Sequence, residues 1–141
     1  MSYSGPILIV EDDPDDHFIT IEALKELEIA NPVLFFENGP QLIHYLGSTS
    51  EQPFLILCDV NLPIMNGIEI RNFIQSSPEL KQKAMPFIFF TTSGSPELVL
   101  AAYKGSVQGY FKKPHNFEDI KFRLASIVDY WRSCLRPNTL K

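Results

Sequence analysis

Five short apolar runs at regular intervals constrain the fold of this chain more than any other feature. The runs are PILIV (6–10), PVLFFE (32–37), FLILC (54–58), PFIFF (86–90) and VQGYF (107–111). Most are apolar at successive positions, without the alternation that marks a half-exposed strand. We therefore predict five strands covered on both faces.

Segments with helical periodicity separate these strands. Apolar residues recur at steps of three or four in the first segment (Phe18, Ile21, Leu24, Leu27) and in the last (Phe117, Ile120, Leu124, Ile127, Trp131, Leu135). Alternating strand and helix units favour a parallel sheet with helices on both faces, and right-handed crossovers leave few topologies. The predicted fold is α/β, a doubly wound five-stranded parallel sheet with five helices.

The chain has the length of one domain, which we place over residues 1–141. Its core spans about 6–130, the C-terminal helix about 116–135, and a short tail 136–141. At the first helix, Asp13 fits the N-cap and Asp16 stands three residues later, as in a capping box. We assign these two acids, and Asp15 between them, to the helix N-terminus.

Composition excludes several classes of function. The net charge of -5 argues against binding to nucleic acid, which needs a basic surface. The two cysteines lack the spacing of a zinc site or a disulfide framework, which favours a reducing compartment. Neither a signal peptide nor an apolar run of the roughly 20 residues that span a membrane is present, so we expect a cytoplasmic protein without membrane contact.

Acidic, hydroxyl and basic side chains stand where the predicted strands end. In a doubly wound sheet these carboxyl ends share one rim, at which ligands bind. The rim residues are Glu11, Asp12, Asp59, Thr91, Thr92, Lys112 and Lys113. Three neighbouring carboxylates repel one another by several kcal/mol, so a proton or cation must compensate. Mg²⁺ suits such a site, because it is held by one or two carboxylates and completes its shell with water and phosphate oxygens.

Four motifs at these strand ends resemble those of the response-regulator receiver domain of two-component signalling. They are ILIVEDD, LILCDVNLPIMNG, FIFFTTS and GYFKKP, in this order, and the resemblance covers about residues 6–130. It implies the flavodoxin-like receiver fold, with strand order 2-1-3-4-5. Because no output domain follows the motifs, it also implies a stand-alone regulator of the CheY-like type.

The resemblance also implies a phosphorylation site with bound Mg²⁺. The phospho-acceptor falls on Asp59, and the metal ligands fall on Asp12, Asp59, the backbone carbonyl of Asn61, and Glu11 acting mostly through water.

Further positions match the family's switch and phosphate-contacting residues. Thr91 matches the switch hydroxyl, Tyr110 the switch aromatic and Lys113 the lysine that pairs with the phosphoryl group, and the Lys113–Pro114 bond is expected to be cis. Thr92 stands where the family mostly has a smaller residue, so we expect it to crowd access to the acyl phosphate.

The implied function is signalling, not catalysis on a separate substrate. A sensor histidine kinase or phosphotransfer protein donates a phosphoryl group from phosphohistidine to Asp59, and the domain catalyses only this transfer and its later hydrolysis. Phosphorylation then remodels the face built by the fourth helix, fifth strand and fifth helix, which contacts a downstream protein. Whether it also drives homodimer formation stays open.

Three other interpretations have distinguishing sequence features. A haloacid-dehalogenase-type phosphatase needs a second aspartate two residues after Asp59, where this chain has Asn61. A flavodoxin-like flavin binder needs a phosphate loop after the first strand, where acids would repel phosphate. A degenerate receiver would lack an acceptor, acid or lysine, and Asp59, Glu11, Asp12 and Lys113 are all present.

Overall fold

A computed structural model describes residues 2–137 as five strands alternating with helices, after a 3₁₀ turn at Ser2–Ser4. The strands are β1 (Ile7–Val10), β2 (Val33–Phe36), β3 (Leu55–Cys58), β4 (Phe87–Thr91) and β5 (Gly109–Lys112). The helices are α1 (Pro14–Glu26), α2 (Gly39–Ser48), α3 (Gly67–Ser76), α4 (Pro78–Gln82), α5 (Pro96–Lys104) and α6 (Phe117–Ser133).

The strands form a parallel sheet in the order β2-β1-β3-β4-β5, as the sequence predicts. β1 lies between its two partners, with Ile7 paired to Val33 on one side and to Leu55 on the other. The chain moves outward from β1 to β2, then crosses to β3 on the opposite side. This reversal creates a crevice at the carboxyl ends of β1 and β3.

Helices cover both faces of the sheet, which explains the continuous apolar strands. Leu8 and Val10 point to the face packed by α2, α3, α4 and α5, whereas Ile7 and Ile9 point to the face packed by α1 and α6. β1, β3 and β4 are buried along their whole length. The strand ends are therefore held on a rigid frame.

Polar side chains cap the helices where the sequence changes from loop to helix. Each N-cap side chain accepts a hydrogen bond from a backbone N–H of the first turn, at Asp13, Asn38, Asn66, Ser77, Ser95 and Asn116. Asp13 accepts from Asp15, so the prediction of this cap is correct. The two-way capping box forms instead at Asn66 and Glu69.

Residues 2–137 contain six α-helices, one more than the five predicted. Helix α4 follows α3 directly, with Ser77 as its N-cap and Pro78 at its first position. These residues are helix-start signals, but five residues are too few to show an apolar period. The side chain of Leu80 in this helix is buried in the core.

Two residues of the predicted apolar stripes are exposed. Phe18 keeps 65% of its surface exposed, because α1 buries the face carrying Thr20, Ala23 and Leu24. Leu135 is 80% exposed, because α6 ends at Ser133. Periodicity locates a helix well, but it leaves uncertain which apolar residues at the margin of the stripe are covered.

The chain remains packed against the domain just beyond α6. Arg136, at the start of the predicted tail, is buried and donates hydrogen bonds to the carbonyls of Pro53 and Phe54. Residues 138–141 of that tail lie outside the described residues. Within residues 2–137, none of the helices has the length and apolar character needed to cross a membrane.

Candidate functional site

The parallel register brings the predicted site residues to one edge of the sheet. Val10 pairs with Cys58, so the residues that follow them, Glu11 and Asp59, leave the sheet side by side. The Asp59 N–H donates to the Val10 carbonyl at 3.0 Å. Thr91, at the end of β4, pairs with Lys112.

Three carboxylates form an acid cluster at this edge, made of Glu11, Asp12 and Asp59. Each offers one oxygen, and these oxygens all lie within 4.8 Å of one another. Asp12 is exposed, whereas Glu11 is only 3% exposed. Oxygen ligands at this spacing are suited to a hard divalent cation.

Glu11 supplies independent support for a cation at the acid cluster. Its Oε2 is buried without a hydrogen-bond partner among the described residues. Burial, together with the nearby carboxyl groups of Asp16 and Asp59, raises the pKa of Glu11 from 4.5 to about 9, against the lowering effect of Lys113. A buried oxygen with no partner is costly, and a cation would satisfy it while favouring the charged carboxylate. The residues present therefore fit a divalent metal ion.

Asp59 has one carboxylate oxygen fixed by three donors. Its Oδ1 accepts hydrogen bonds from the Val60 N–H at 2.7 Å, from the Asn61 N–H at 3.4 Å and from the Thr91 hydroxyl. Thr91 is fully buried, so its hydroxyl has little freedom to turn elsewhere. The acceptor carboxylate is thus oriented by the backbone after β3 and by the end of β4.

Ser93 connects the loops that surround Asp59. Its hydroxyl accepts from the Asn61 side-chain amide at 2.5 Å, its N–H donates to the Thr91 hydroxyl at 3.2 Å, and its carbonyl accepts from the Tyr110 hydroxyl at 2.5 Å. Tyr110 is half-buried, packed 5.5 Å from the Phe89 ring. Burial, and to a smaller extent the charge of Asp59, raise the pKa of Tyr110.

Lys113 contacts the acidic residues on the β1 side of the site. Its Nζ lies 3.2 Å from Glu11 Oε1 and 3.3 Å from Asp16 Oδ2. In the part of the chain that the structure describes, Lys113 forms no ion pair with Asp59. The Lys113–Pro114 peptide bond is trans, in contrast to the expected cis form. Trans is the lower-energy isomer of an X–Pro bond.

The structure adds two residues to those predicted at the site. Asp16 does not complete a capping box with Asp13, because its carboxylate turns toward Lys113 and Glu11. His17 stacks on Phe35 at 4.4 Å and contacts the Glu11 carbonyl through Nε2. Both residues lie in the sequence soon after Glu11 and Asp12, in the first turn of α1. For Asp16 this position also suits a residue at a helix N-terminus, so the sequence alone does not indicate a role at the site.

Two residues of the predicted rim, Thr92 and Lys112, are exposed to solvent. The aliphatic part of Lys112 passes beside Gly94, where an added Cβ would lie 3.4 Å from its Cδ. Neither side chain is in the network around Asp59 described above.

Comparison with known proteins identifies the family to which these features belong. The sequence profile of the response regulator receiver domain matches residues 7–125. The chain belongs to this family. Response regulator Rcp1 of Synechocystis sp. is 32% identical over 130 residues, which are 89% of this chain and 87% of that protein.

Two solved structures show the same architecture. The phosphorylated cyanobacterial phytochrome response regulator RcpA has a TM-score of 0.83 at 28% identity, and the alignment covers 93% of this chain and 96% of that one. The Mn²⁺-bound form of Rcp1 has a TM-score of 0.80 at 30% identity, with the same coverage. This receiver domain is therefore a component of phosphorylation-based two-component signalling, and its acid cluster corresponds to a phosphorylation site that fits a metal ion.

Proposed function

We propose that this receiver domain accepts a phosphoryl group on Asp59 from the phosphohistidine of a sensor histidine kinase or phosphotransfer protein. The observation that carries the proposal is the acid cluster at the carboxyl ends of β1 and β3, with Oδ1 of Asp59 fixed by Val60 and Thr91. Receiver domains in general are phosphorylated by such partners.

In the transfer, a carboxylate oxygen of Asp59 attacks the phosphorus of phosphohistidine. The new P–O bond forms as the P–N bond breaks, and the bonding electrons return to the imidazole nitrogen. The Thr91 hydroxyl, already beside Asp59, donates to an oxygen of the transferred group. The Lys113 ammonium group neutralises its charge after leaving Glu11.

Glu11, Asp12, Asp59 and the backbone carbonyl of Asn61 would hold Mg²⁺ in this domain. Bound there, the ion neutralises the clustered carboxylates and the charge that develops on the phosphoryl oxygens. The buried, unpartnered Oε2 of Glu11 supports an ion at this position. The Mn²⁺-bound form of Rcp1 shows a divalent ion in a related protein.

Loss of the signal occurs by hydrolysis of the acyl phosphate. Water attacks the phosphorus, the P–O bond to Asp59 breaks, and inorganic phosphate leaves while the carboxylate is restored. The domain thus acts as a phospho-acceptor that modifies only itself.

The network around Ser93 would carry the change to the protein surface. A phosphoryl group on Asp59 competes for the Thr91 hydroxyl, which bonds the Ser93 N–H, while the Ser93 carbonyl holds Tyr110. Tyr110 lies on β5 between α5 and α6, so its movement would alter the face formed by α5, β5 and α6. These elements are the fourth helix, fifth strand and fifth helix of the predicted fold. We propose that a downstream protein in the cytoplasm binds this face.

Incubation with acetyl phosphate and Mg²⁺, followed by intact mass measurement, tests phosphoryl acceptance. The wild type should gain one phosphoryl group, and the gain should fall strongly with EDTA. An Asp59→Asn variant that gained the same mass would contradict the assignment, as would a wild type that gained none.

Thr92 is the proposed determinant of water access to the acyl phosphate. It is exposed and directly follows Thr91, which bonds Asp59, so we infer that its branched side chain crowds the approach to the acyl phosphate. Thr92→Ala should shorten the phosphoryl lifetime by a factor of a few, measured as the decay of the phosphorylated mass after donor removal. A lifetime equal to that of the wild type would show that Thr92 does not control access.

A further inference from the structure

Asp16 contacts the site without belonging to the acid cluster. It occupies the third position of α1, and its Oδ2 lies 3.3 Å from Lys113 Nζ. The same ammonium group lies 3.2 Å from Glu11 Oε1. The proposed phosphoryl transfer gives Asp16 no role, although Asp16 contacts the lysine that takes part.

Partial burial strengthens the contact between Asp16 and Lys113. The Lys113 side chain is 9% exposed and that of Asp16 is 31% exposed, so water screens the pair less than it screens an open surface pair. Phe90 lies under the ammonium group, 5.8 Å from Nζ to the ring centre. The lysine is therefore held at the β1 side of the site by defined contacts.

We propose that Asp16 is a positioning residue, which holds the Lys113 ammonium group beside Glu11 in the unphosphorylated domain and opposes its movement to a phosphoryl group on Asp59. This inference rests on the function proposed above. Glu11 belongs to the acid cluster, so a bound cation would weaken its hold on Lys113. Asp16 lies outside that cluster, so a cation bound there would leave its contact with Lys113 in place.

The resting contact can be tested without metal or phosphoryl group. In EDTA, urea unfolding of wild type, Asp16→Asn, Lys113→Gln and the double variant forms a double-mutant cycle. Asp16→Asn should lower the ratio of folded to unfolded protein both in the wild type and in the Lys113→Gln background. As a fold-change, the loss in the wild type should be about five times larger, as expected when the substitution breaks a partly buried ion pair. Equal losses in both backgrounds would overturn the contact.

The functional consequence can be tested with beryllofluoride, a phosphoryl mimic made from beryllium chloride and sodium fluoride. At saturating Mg²⁺, Asp16→Asn should bind beryllofluoride about fivefold more tightly than the wild type does. The affinity is measured by titration monitored with fluorine NMR. The gain should disappear in the Lys113→Gln background. Asp16→Glu, which restores the carboxylate, should bind with an affinity near that of the wild type.

Asp15→Asn is the matched control, because Asp15 lies in the same helical turn and its side chain is exposed. It removes the same charge and should change beryllofluoride affinity less than twofold. If Asp16→Asn binds no more tightly than the wild type or than Asp15→Asn, the positioning role is overturned. A wild type that binds no beryllofluoride would instead overturn the proposed function, and this role with it.

Discussion

At the residue scale, burial and cation binding place opposite demands on the charge of Glu11. Its position at the end of a buried strand leaves Glu11 only 3% exposed, which disfavours a charged carboxylate. Its neighbours Asp12 and Asp59 make the site attractive to a cation that needs that charge. Burial therefore favours the protonated carboxyl group when no metal is bound, whereas a bound cation favours the charged carboxylate.

Glu11→Gln should therefore stabilise the metal-free protein at alkaline pH. The pKa of Glu11 is 4.5 in an ordinary environment and about 9 in the fold. Between these values the folded state binds a proton that the unfolded state has lost, so the free energy of unfolding falls as pH rises. Urea titrations in EDTA at several pH values should show this fall in the wild type and a smaller fall in Glu11→Gln. Identical pH dependence of the two proteins would contradict the burial argument.

The residues of the site were predictable where the strand ends fixed their positions. Glu11, Asp59 and Thr91 each follow or end an apolar run, and parallel pairing places them together. The partner of Lys113 was not predictable, because its long side chain can reach several acids at the same rim. Packing of α1, which sets the position of Asp16, decides the outcome.

At the scale of elements, the backbone at the start of α3 packs very closely against the residues that follow β3. A Cβ on Gly67 would lie 2.3 Å from the Asp59 carbonyl oxygen and 2.6 Å from Phe89. The Gly67 N–H also donates to the Val60 carbonyl at 2.8 Å. Only glycine allows this helix to begin directly behind Asp59.

Gly67→Ala should lower the free energy of unfolding by about 3 kcal/mol, because the backbone carbonyl cannot move aside cheaply. Gly47→Ala in α2 is the control, since an added Cβ there meets nothing within 4 Å. That change should stabilise the protein by about 0.5–1 kcal/mol. Chemical denaturation of both variants measures the difference, and equal effects would refute the close-approach argument.

Helix α4 has clear helix-start residues in its sequence but no apolar periodicity. Ser77 and Pro78 are a good helix start, yet the five-residue helix carries too little periodicity to be distinguished from a turn. The longer elements were predictable, because each combines a cap with several apolar residues on one face. Short elements depend on the tertiary contacts that bury them, as at Leu80.

At the scale of the whole molecule, the first and last described segments pack at the end of the sheet opposite the site. Asn31 donates to the carbonyls of Tyr3 and Gly5 at 2.8 Å and 2.7 Å, and Arg132 donates to the Asn31 side chain at 2.7 Å. Arg136 covers the Phe54 ring at 5.3 Å and bonds the Phe54 carbonyl. No sequence pattern marks a lone arginine after a helix as an anchor, so this contact was not predictable.

Arg136→Ala should destabilise the domain by about 2 kcal/mol, since charged hydrogen bonds to buried carbonyls are lost. Arg123→Ala on the exposed face of α6 should change stability by less than about 0.5 kcal/mol. Thermal unfolding of the two variants under one set of conditions makes the comparison. If Arg136→Ala matches Arg123→Ala, the contacts of Arg136 with Pro53 and Phe54 do not contribute to stability.

The most direct test of the account is the chemical location of the phosphoryl group. Borohydride reduces an acyl phosphate to an alcohol, so an aspartyl phosphate becomes homoserine, which peptide mass mapping identifies. After incubation with acetyl phosphate and Mg²⁺, we predict homoserine at position 59 and at no other aspartate of the chain. Reduction at Asp12, Asp16 or another carboxylate, with Asp59 unchanged, would contradict the central claim that Asp59 is the acceptor.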